Sequence, residues 1–343
     1  MIQEGFRSMK HALFFCNGSR IGEVYSPETV ERLRSTLCFE TEEVLGSRDL
    51  EEKRDLFARA DYLFSTWGMP HMTREEIREY LPNLKAVFYA AGSVQHFARE
   101  FIEEGAAVFS AWAANGVPVA EYTFSEIVLA SKGFFQRLHR QSDGSGWPGR
   151  ALNLPFPGNY EIKVGIVGAG MIGKMVIERL KSLDKVRVLV FDPFLPDEKA
   201  EELGVEKTDL ETLFAECDVI SNHLANNPQT VGMLTPALFA SMKPCAAFIN
   251  TGRGAQVSEE GLIAALEAVP TRAAVLDVTW PEPPAVDSKL YTLPNVFLTP
   301  HIAGSLGNEV HRMAEYMADE YEAFDAGRPV KYRVTEKMLE TMA

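Results

Sequence analysis

Three glycines and an acid are the first residues in this chain whose types and spacing imply chemistry. Gly168, Gly170 and Gly173 follow an apolar run at 162–167 and open a helical pattern carried by Met175, Val176, Leu180 and Leu183. A second apolar run, 186–191, ends on Asp192, nineteen residues past the last glycine. Strand, glycine turn, helix, strand and acid in that register form a dinucleotide-binding fingerprint. Gly168 permits the tight turn, the missing side chain at Gly170 lets backbone approach a pyrophosphate, and Gly173 lets helix and strand pack closely. Met171 and Ile172 sit at the helix start, where free N–H groups and the positive dipole end meet the phosphates. Asp192 would accept hydrogen bonds from the adenosine ribose and repel a 2′-phosphate, and Pro193, Phe194 and Leu195 bring no cation to reverse that preference. The expected cofactor is NAD rather than NADP.

Four further polar groups, Arg253, Asp277, Glu282 and His301, follow the apolar runs 246–250, 273–276 and 296–298. In an open parallel sheet, ligands bind at the carboxyl ends of the strands, so these groups belong beside the cofactor. Taken singly, each has a plainer role. A histidine after proline caps or packs, an arginine at a strand end forms a solvated ion pair, and Glu282-Pro283 is a turn. Their joint placement points to chemistry instead. His223, at another strand end, reads as structural. His11, His71, His96, His139 and His311 show no metal-ligand spacing, and no metal is expected.

The elements that must position these groups are legible as alternating apolar runs and amphipathic stretches. Ahead of the fingerprint come strands at 12–16, 62–65 and 84–91, with helices at 26–37, opened by Ser26-Pro27, and at 73–80. Such alternation implies a parallel sheet with helices on both faces, here as a separate α/β domain. Pro118 fits a helix start, and the apolar pattern from Val119 to Leu138 meets no breaker before Gly133. The stretch 140–159 is rich in Gly, Pro, Ser and Asn and reads either as a surface loop or as an arm anchored on another subunit by Trp147. After Asp192, strands at 219–221, 246–250, 273–276 and 296–298 complete the nucleotide domain. A last helix, 307–327, with Val310, Met313, Met317 and Phe324 near one face, carries the chain back to the first domain.

Length and composition bound the rest. The chain has 343 residues, enough for two domains with sizeable cores. A net charge of -14 disfavours nucleic acid or an anionic membrane as partner. Cys16, Cys38, Cys217 and Cys245 are scattered without pairing motifs, as in a reducing compartment. No apolar run reaches the ~20 residues of a membrane span. The first ten residues lack the apolar centre of a signal peptide, so a cytoplasmic location is expected.

Several of these stretches, taken in order, closely resemble the D-isomer-specific 2-hydroxyacid dehydrogenases. They are Asn115-Gly116-Val117-Pro118-Val119-Ala120-Glu121-Tyr122-Thr123, the glycine fingerprint, Asn250-Thr251-Gly252-Arg253-Gly254, Leu276-Asp277-Val278 leading to Glu282-Pro283, and Thr299-Pro300-His301-Ile302-Ala303-Gly304-Ser305. The resemblance covers about Leu63 to Glu315. It implies two doubly wound parallel-sheet α/β domains, a Rossmann nucleotide-binding domain (118–305) inserted in a flavodoxin-like substrate domain (1–117 plus 306–343). It also implies a dimer through the nucleotide domain, and closure of the two domains over a small 2-oxo or 2-hydroxy acid.

The roles implied by the resemblance suit the residue types. Arg253 would clamp the carboxylate and carbonyl oxygens. His301 would give or take the proton, with Glu282 on its other ring nitrogen. Asp277 would grip the nicotinamide carboxamide. Leu224, Thr251, Gly252, Arg253, His301 and Gly304 join the fingerprint residues as cofactor contacts. Trp67-Gly68 and Ser93-Val94, both after strands, would meet the substrate. The family more often has Gly-Val-Asp where this chain has Ser93-Val94-Gln95. Two other readings share the scaffold. A formate-dehydrogenase-like variant would carry Gln in place of Glu282, and an NADH-sensing scaffold or corepressor would use the fold to regulate partner binding.

Overall fold

The computed structural model describes residues 9–138 and 155–340. Most of the expected loop or arm, with Trp147 and His139, lies outside the described residues. The chain divides into two units, Met1–Asn115 with Ser305–Ala343, and Gly116–Gly304. Within the first unit, the residues at which the chain leaves and returns are joined, the Ser305 amide donating to the Asn115 side-chain oxygen at 3.0 Å.

In the first unit, β1 (Lys10–Phe14), β2 (Leu37–Cys38), β3 (Tyr62–Ser65), β4 (Ala86–Tyr89) and β5 (Ala107–Ser110) form a parallel sheet in the order β2-β1-β3-β4-β5. This is the flavodoxin-like order. Both faces are covered, which is why its strands read as continuous apolar runs. Alternate residues serve opposite faces. Phe14, Phe64, Phe88 and Phe109 are register partners across four strands and face one core. Leu13, Leu63, Val87 and Val108 face the other. Phe88 stacks between Phe64 and Phe109, with ring centroids 5.1 and 4.9 Å away. The helix Glu309–Asp325 covers this ladder, burying Met313, Met317 and Tyr321.

The second unit contains β6 (Lys163–Val167), β7 (Arg187–Phe191), β8 (Glu206–Lys207), β9 (Val219–Asn222), β10 (Ala247–Asn250), β11 (Ala273–Leu276) and β12 (Val296–Leu298). Their order, β12-β11-β10-β9-β6-β7-β8, is parallel throughout and reverses between β6 and β9. That is the Rossmann arrangement, and the reversal opens a crevice at the strands' carboxyl ends. One core lies on each face of this sheet as well. Among the described residues, no helix is long and apolar enough to cross a membrane.

Among the differences from the sequence reading are three local features. Pro118 lies inside the helix Trp112–Ser131, which begins six residues before it. A proline there cannot donate to the Ala114 carbonyl, yet the flanking turns hold the helix on both sides. The strand β5 and the helix Ala98–Glu103 before it went unread, because four residues of Ala, Val, Phe and Ser carry too little pattern. A last strand, β13 (Arg333–Val334), adds antiparallel to β5 at the edge of the first sheet.

The stacked ladder yields a stability prediction. Phe88→Ala should cost about 3–5 kcal/mol of unfolding free energy. Urea unfolding measures it, and a loss under about 1 kcal/mol would show that the ladder does not hold the first sheet to its helices.

Candidate functional site

The nucleotide cradle is built where β6 ends. Gly168 has φ +93°, and a Cβ there would lie 2.8 Å from the His223 carbonyl oxygen at the end of β9. The turn therefore fits against the neighbouring strand only as glycine. A Cβ on Gly173 would lie 2.1 Å from the Gly168 carbonyl oxygen. At Gly170 a Cβ would meet nothing within 4 Å, so that face is open to a ligand. Gly170 caps the helix Met171–Leu180 without any side-chain hydrogen bond, leaving the amides of its first turn available. Met171 and Ile172, both half-buried, begin that turn.

Asp192 is fixed beside the same turn. Its two carboxylate oxygens accept from the Ala169 and Phe194 amides, each at 2.8 Å. Donor amides, an open glycine face and a positioned acid together fit a dinucleotide, with Gly168, Gly170, Met171, Ile172, Gly173 and Asp192 as the residues that would hold it.

Beneath the crevice lies a buried amide network that sequence reasoning missed. Asn222 at the end of β9 donates to the side chains of Asn250 and Gln256 at 3.0 and 2.7 Å. Gln256 in turn donates to the Leu224 and Ala225 carbonyls at 3.0 and 2.9 Å, and so sets the loop that carries Leu224. Asn250 accepts from the Gly252 amide and donates to the Arg253 carbonyl, both at 3.1 Å. The signal was a set of amides flanked by apolar residues, each needing a partner once buried. Thr251 is buried, its hydroxyl 2.8 Å from that of Thr123. His223 is bound to Ser221 at 2.9 Å, and burial pushes its imidazole down to about 4, so it stays neutral and structural.

Arg253 is half-buried at the end of β10, with one guanidinium nitrogen donating to the Gly252 carbonyl at 2.8 Å. A Cβ on the next residue, Gly254, would lie 1.9 Å from the Thr279 carbonyl carbon. Backbone thus packs on backbone, bringing the Arg253 loop against the segment that leads to Glu282. Burial lowers the Arg253 pKa, and the Glu282 charge opposes that shift. Glu282 also lies 2.7 Å from His301, ring Nδ1 to Oε1, with the ring nitrogen the donor because the carboxylate can only accept. Glu282 is thus paired with His301 and lies within electrostatic reach of Arg253. The three residues expected to do chemistry converge within the second unit.

His301 has φ +56°, a left-handed conformation that costs a non-glycine residue about 1–3 kcal/mol unless its surroundings impose it. Asp277 imposes it. Its carbonyl accepts from the His301 amide at 3.0 Å. Its buried carboxylate accepts from the Ile302 amide at 2.8 Å, the Ala303 amide at 2.9 Å and the Thr299 hydroxyl at 2.7 Å. Three of a carboxylate's roughly four lone-pair sites are occupied, leaving one for a ligand donor. Asp277 was expected to grip the nicotinamide carboxamide; what the fold shows is that it holds the segment from Thr299 to Ala303.

In the first unit, Trp67-Gly68 and Ser93-Val94 follow β3 and β4. Gly68 has φ +100°, and a Cβ would lie 2.4 Å from the Asn17 carbonyl oxygen. Trp67 is partly buried, with the Arg20 guanidinium 5.8 Å from its ring. Val94 is fully buried in one core of the first unit, whereas Ser93 is exposed. Gln95, the departure from the family pattern, donates to the Leu339 carbonyl at 2.8 Å. Trp280, in the second unit, is exposed. Among the described residues, no three His, Cys, Asp or Glu side chains group as a metal site.

With this geometry in hand, the chain can be set beside known proteins. A family model described as D-isomer specific 2-hydroxyacid dehydrogenase, NAD binding domain, matches residues 126–303. D-3-phosphoglycerate dehydrogenase of Archaeoglobus fulgidus is 30% identical over 266 residues, which are 77% of this chain and 50% of that protein. The Bacillus subtilis protein of the same name is 31% identical over 261 residues, 75% of this chain and 48% of its own. The chain spans about half the length of these curated relatives. A phosphoglycerate oxidoreductase from Rhizobium etli shares the fold with a TM-score of 0.80 at 23% identity, covering 96% of this chain and 99% of that one. The TT0316 protein from Thermus thermophilus has a TM-score of 0.70 at 26% identity, covering 96% and 100%.

The Asp277 anchor is testable by itself. Asp277→Asn would turn an amide NH2 toward one of the three donors, costing about 1–3 kcal/mol of stability. Urea unfolding reads this directly, and a change below about 0.5 kcal/mol would show that the loop has other support.

Proposed function

Because the chain belongs to the D-isomer-specific 2-hydroxyacid dehydrogenase family, we propose that it is an NAD-dependent oxidoreductase acting at C2 of a small 2-hydroxy or 2-oxo acid. The observation that carries this reading is the Glu282 carboxylate, paired with His301 at 2.7 Å and acting electrostatically on Arg253. A nicotinamide bound in the cradle supplies or accepts the hydride. Arg253 holds the acid's carboxylate and carbonyl oxygens by its planar fork, polarising the carbonyl. His301, its Nδ1–H on Glu282, delivers a proton from Nε2 to the oxygen during reduction and takes it back during oxidation. Glu282 supports the imidazolium before transfer and fixes the ring afterwards. Asp192 supports NAD over NADP, because a 2′-phosphate would meet a carboxylate already held by two amides.

Trp67, Gly68, Ser93 and Val94 are the proposed substrate contacts of the first unit. Leu224, Thr251, Gly252, Arg253, Asp277, His301 and Gly304 are proposed to line the cofactor. Relatives named D-3-phosphoglycerate dehydrogenase place a phosphorylated three-carbon acid among the substrates to try, beside glyoxylate and hydroxypyruvate. We further propose a cytoplasmic homodimer with no nucleic-acid partner, in keeping with the net charge of -14.

The test is loss of NADH absorbance with that panel of 2-oxo acids. His301→Ala should lower kcat by about 10²–10⁴-fold while leaving NADH affinity within about twofold. No turnover with any acid despite tight NADH binding would leave a nucleotide-binding protein of another kind. Unchanged turnover in the variant would remove His301 from the mechanism.

A further inference from the structure

Glu126 is an acid in the apolar stretch of the helix Trp112–Ser131, only 6% exposed and set among the residues of one core. Among the described residues, its Oε2 atom has no hydrogen-bond partner. The polar groups acting on it are the Tyr122 hydroxyl, one turn earlier on the same helix, and the Asp277 carboxylate at the end of β11. The Tyr122 hydroxyl lies 3.2 Å from the Thr299 hydroxyl, which lies 2.7 Å from Asp277 Oδ1. A buried acid thus lies one helical turn from a hydroxyl that is linked, through a second hydroxyl, to the carboxylate that holds the His301 loop.

The direction of this chain follows from counting protons. Asp277 is acceptor-only, so the Thr299 hydroxyl gives it its single proton. Thr299 Oγ1 must then accept from Tyr122, and Tyr122 Oη is left to accept in turn. A protonated Glu126, one turn away, can donate there, and an ionised Glu126 cannot. An ionised Glu126 would compete with Thr299 for the one Tyr122 proton and win it, because hydrogen bonds to a charged acceptor are about twice as strong. It would also place a second negative charge in the low-dielectric surroundings of Asp277.

We infer that Glu126 is a positioning residue for His301, a neutral acid heading a one-way donor chain through Tyr122 and Thr299 that sets how firmly Asp277 holds the His301 loop. Burial, with Asp277 nearby, raises the Glu126 carboxyl to about 8, so it keeps its proton at neutrality. Tyr122 is pushed up to about 12 by burial and does not compete as an ionising group. The catalytic meaning of the loop rests on the reading proposed above; the coupling of Glu126 to the loop does not.

Two measurements decide it without turnover. In protein labelled on its histidine rings, with the His301 signal identified by its absence in His301→Asn, the wild-type resonance should show a step centred near pH 8. That step should vanish in Glu126→Gln, which keeps a donor but cannot ionise, and in Tyr122→Phe, which cuts the chain. Stability gives the second. A carboxyl raised on folding contributes stability that is complete below its unfolded range and lost as pH rises through its folded value. The Tm of the wild type should therefore fall relative to Glu126→Gln between about pH 5 and pH 8, and the gap should hold constant above. Where turnover is found, Glu126→Leu should lower kcat about tenfold with KM nearly unchanged, and Glu126→Gln should stay within about threefold. A wild-type His301 signal without the step, a step that persists in Glu126→Gln, or a Tm gap that ignores pH would each overturn the inference. Absence of turnover with every acid would remove the proposed function and leave the ring and Tm results to decide this one.

Discussion

A single buried carboxylate, that of Asp277, holds the segment that carries His301 in place. An ionised acid inside a protein is costly unless donors replace its water. Here the Ile302 and Ala303 amides and the Thr299 hydroxyl do so, and all three come from the segment after β12. The charge and the segment are thus mutually dependent. Taking up the amides fixes the segment, and the fixed segment holds His301 at φ +56°, where an unconstrained histidine rarely sits. The backbone that carries the imidazole is therefore fixed by the fold itself.

The same logic of close approach runs through the neighbouring loops. Gly254 lets the Arg253 loop lie backbone to backbone on Thr279, and Glu282 follows three residues later. The amide network of Asn222, Asn250 and Gln256 braces the Arg253 loop from beneath and sets the Leu224 loop in one arrangement. Polar networks of this kind are costly if incomplete and rigid if complete. In this chain the guanidinium, the carboxylate and the imidazole follow the neighbouring strands β10, β11 and β12 of the sheet whose order reverses at the glycine cradle.

Much of this was legible in the sequence, for identifiable reasons. Parallel strands covered on both faces read as unbroken apolar runs, so β3, β11 and β12 stand where the runs do. The fingerprint was legible because each glycine answers a separate steric demand, two of them visible as Cβ positions within 3 Å of backbone oxygen. Thr73 and Ser26 mark helix starts because their hydroxyls accept from the Glu76 and Thr29 amides. What escaped depended on tertiary context. Pro118 signals a helix start locally, but the helix had begun at Trp112. The partners of Gln256 lie more than thirty residues away in sequence. Glu126 reads as a polar break in an apolar stretch until its burial and its neighbours, Tyr122 and Asp277, are known.

The central claim is that Arg253, Glu282 and His301 serve hydride exchange at C2 of a 2-oxo acid. The most direct measurement follows the label: reduction of the acid with NADH deuterated at the transferring position of the nicotinamide, and analysis of the product by mass spectrometry and NMR. The account predicts a 2-hydroxy acid carrying one deuterium, at C2, in a single configuration. Product without deuterium at C2, or deuterium found only in solvent, would contradict it.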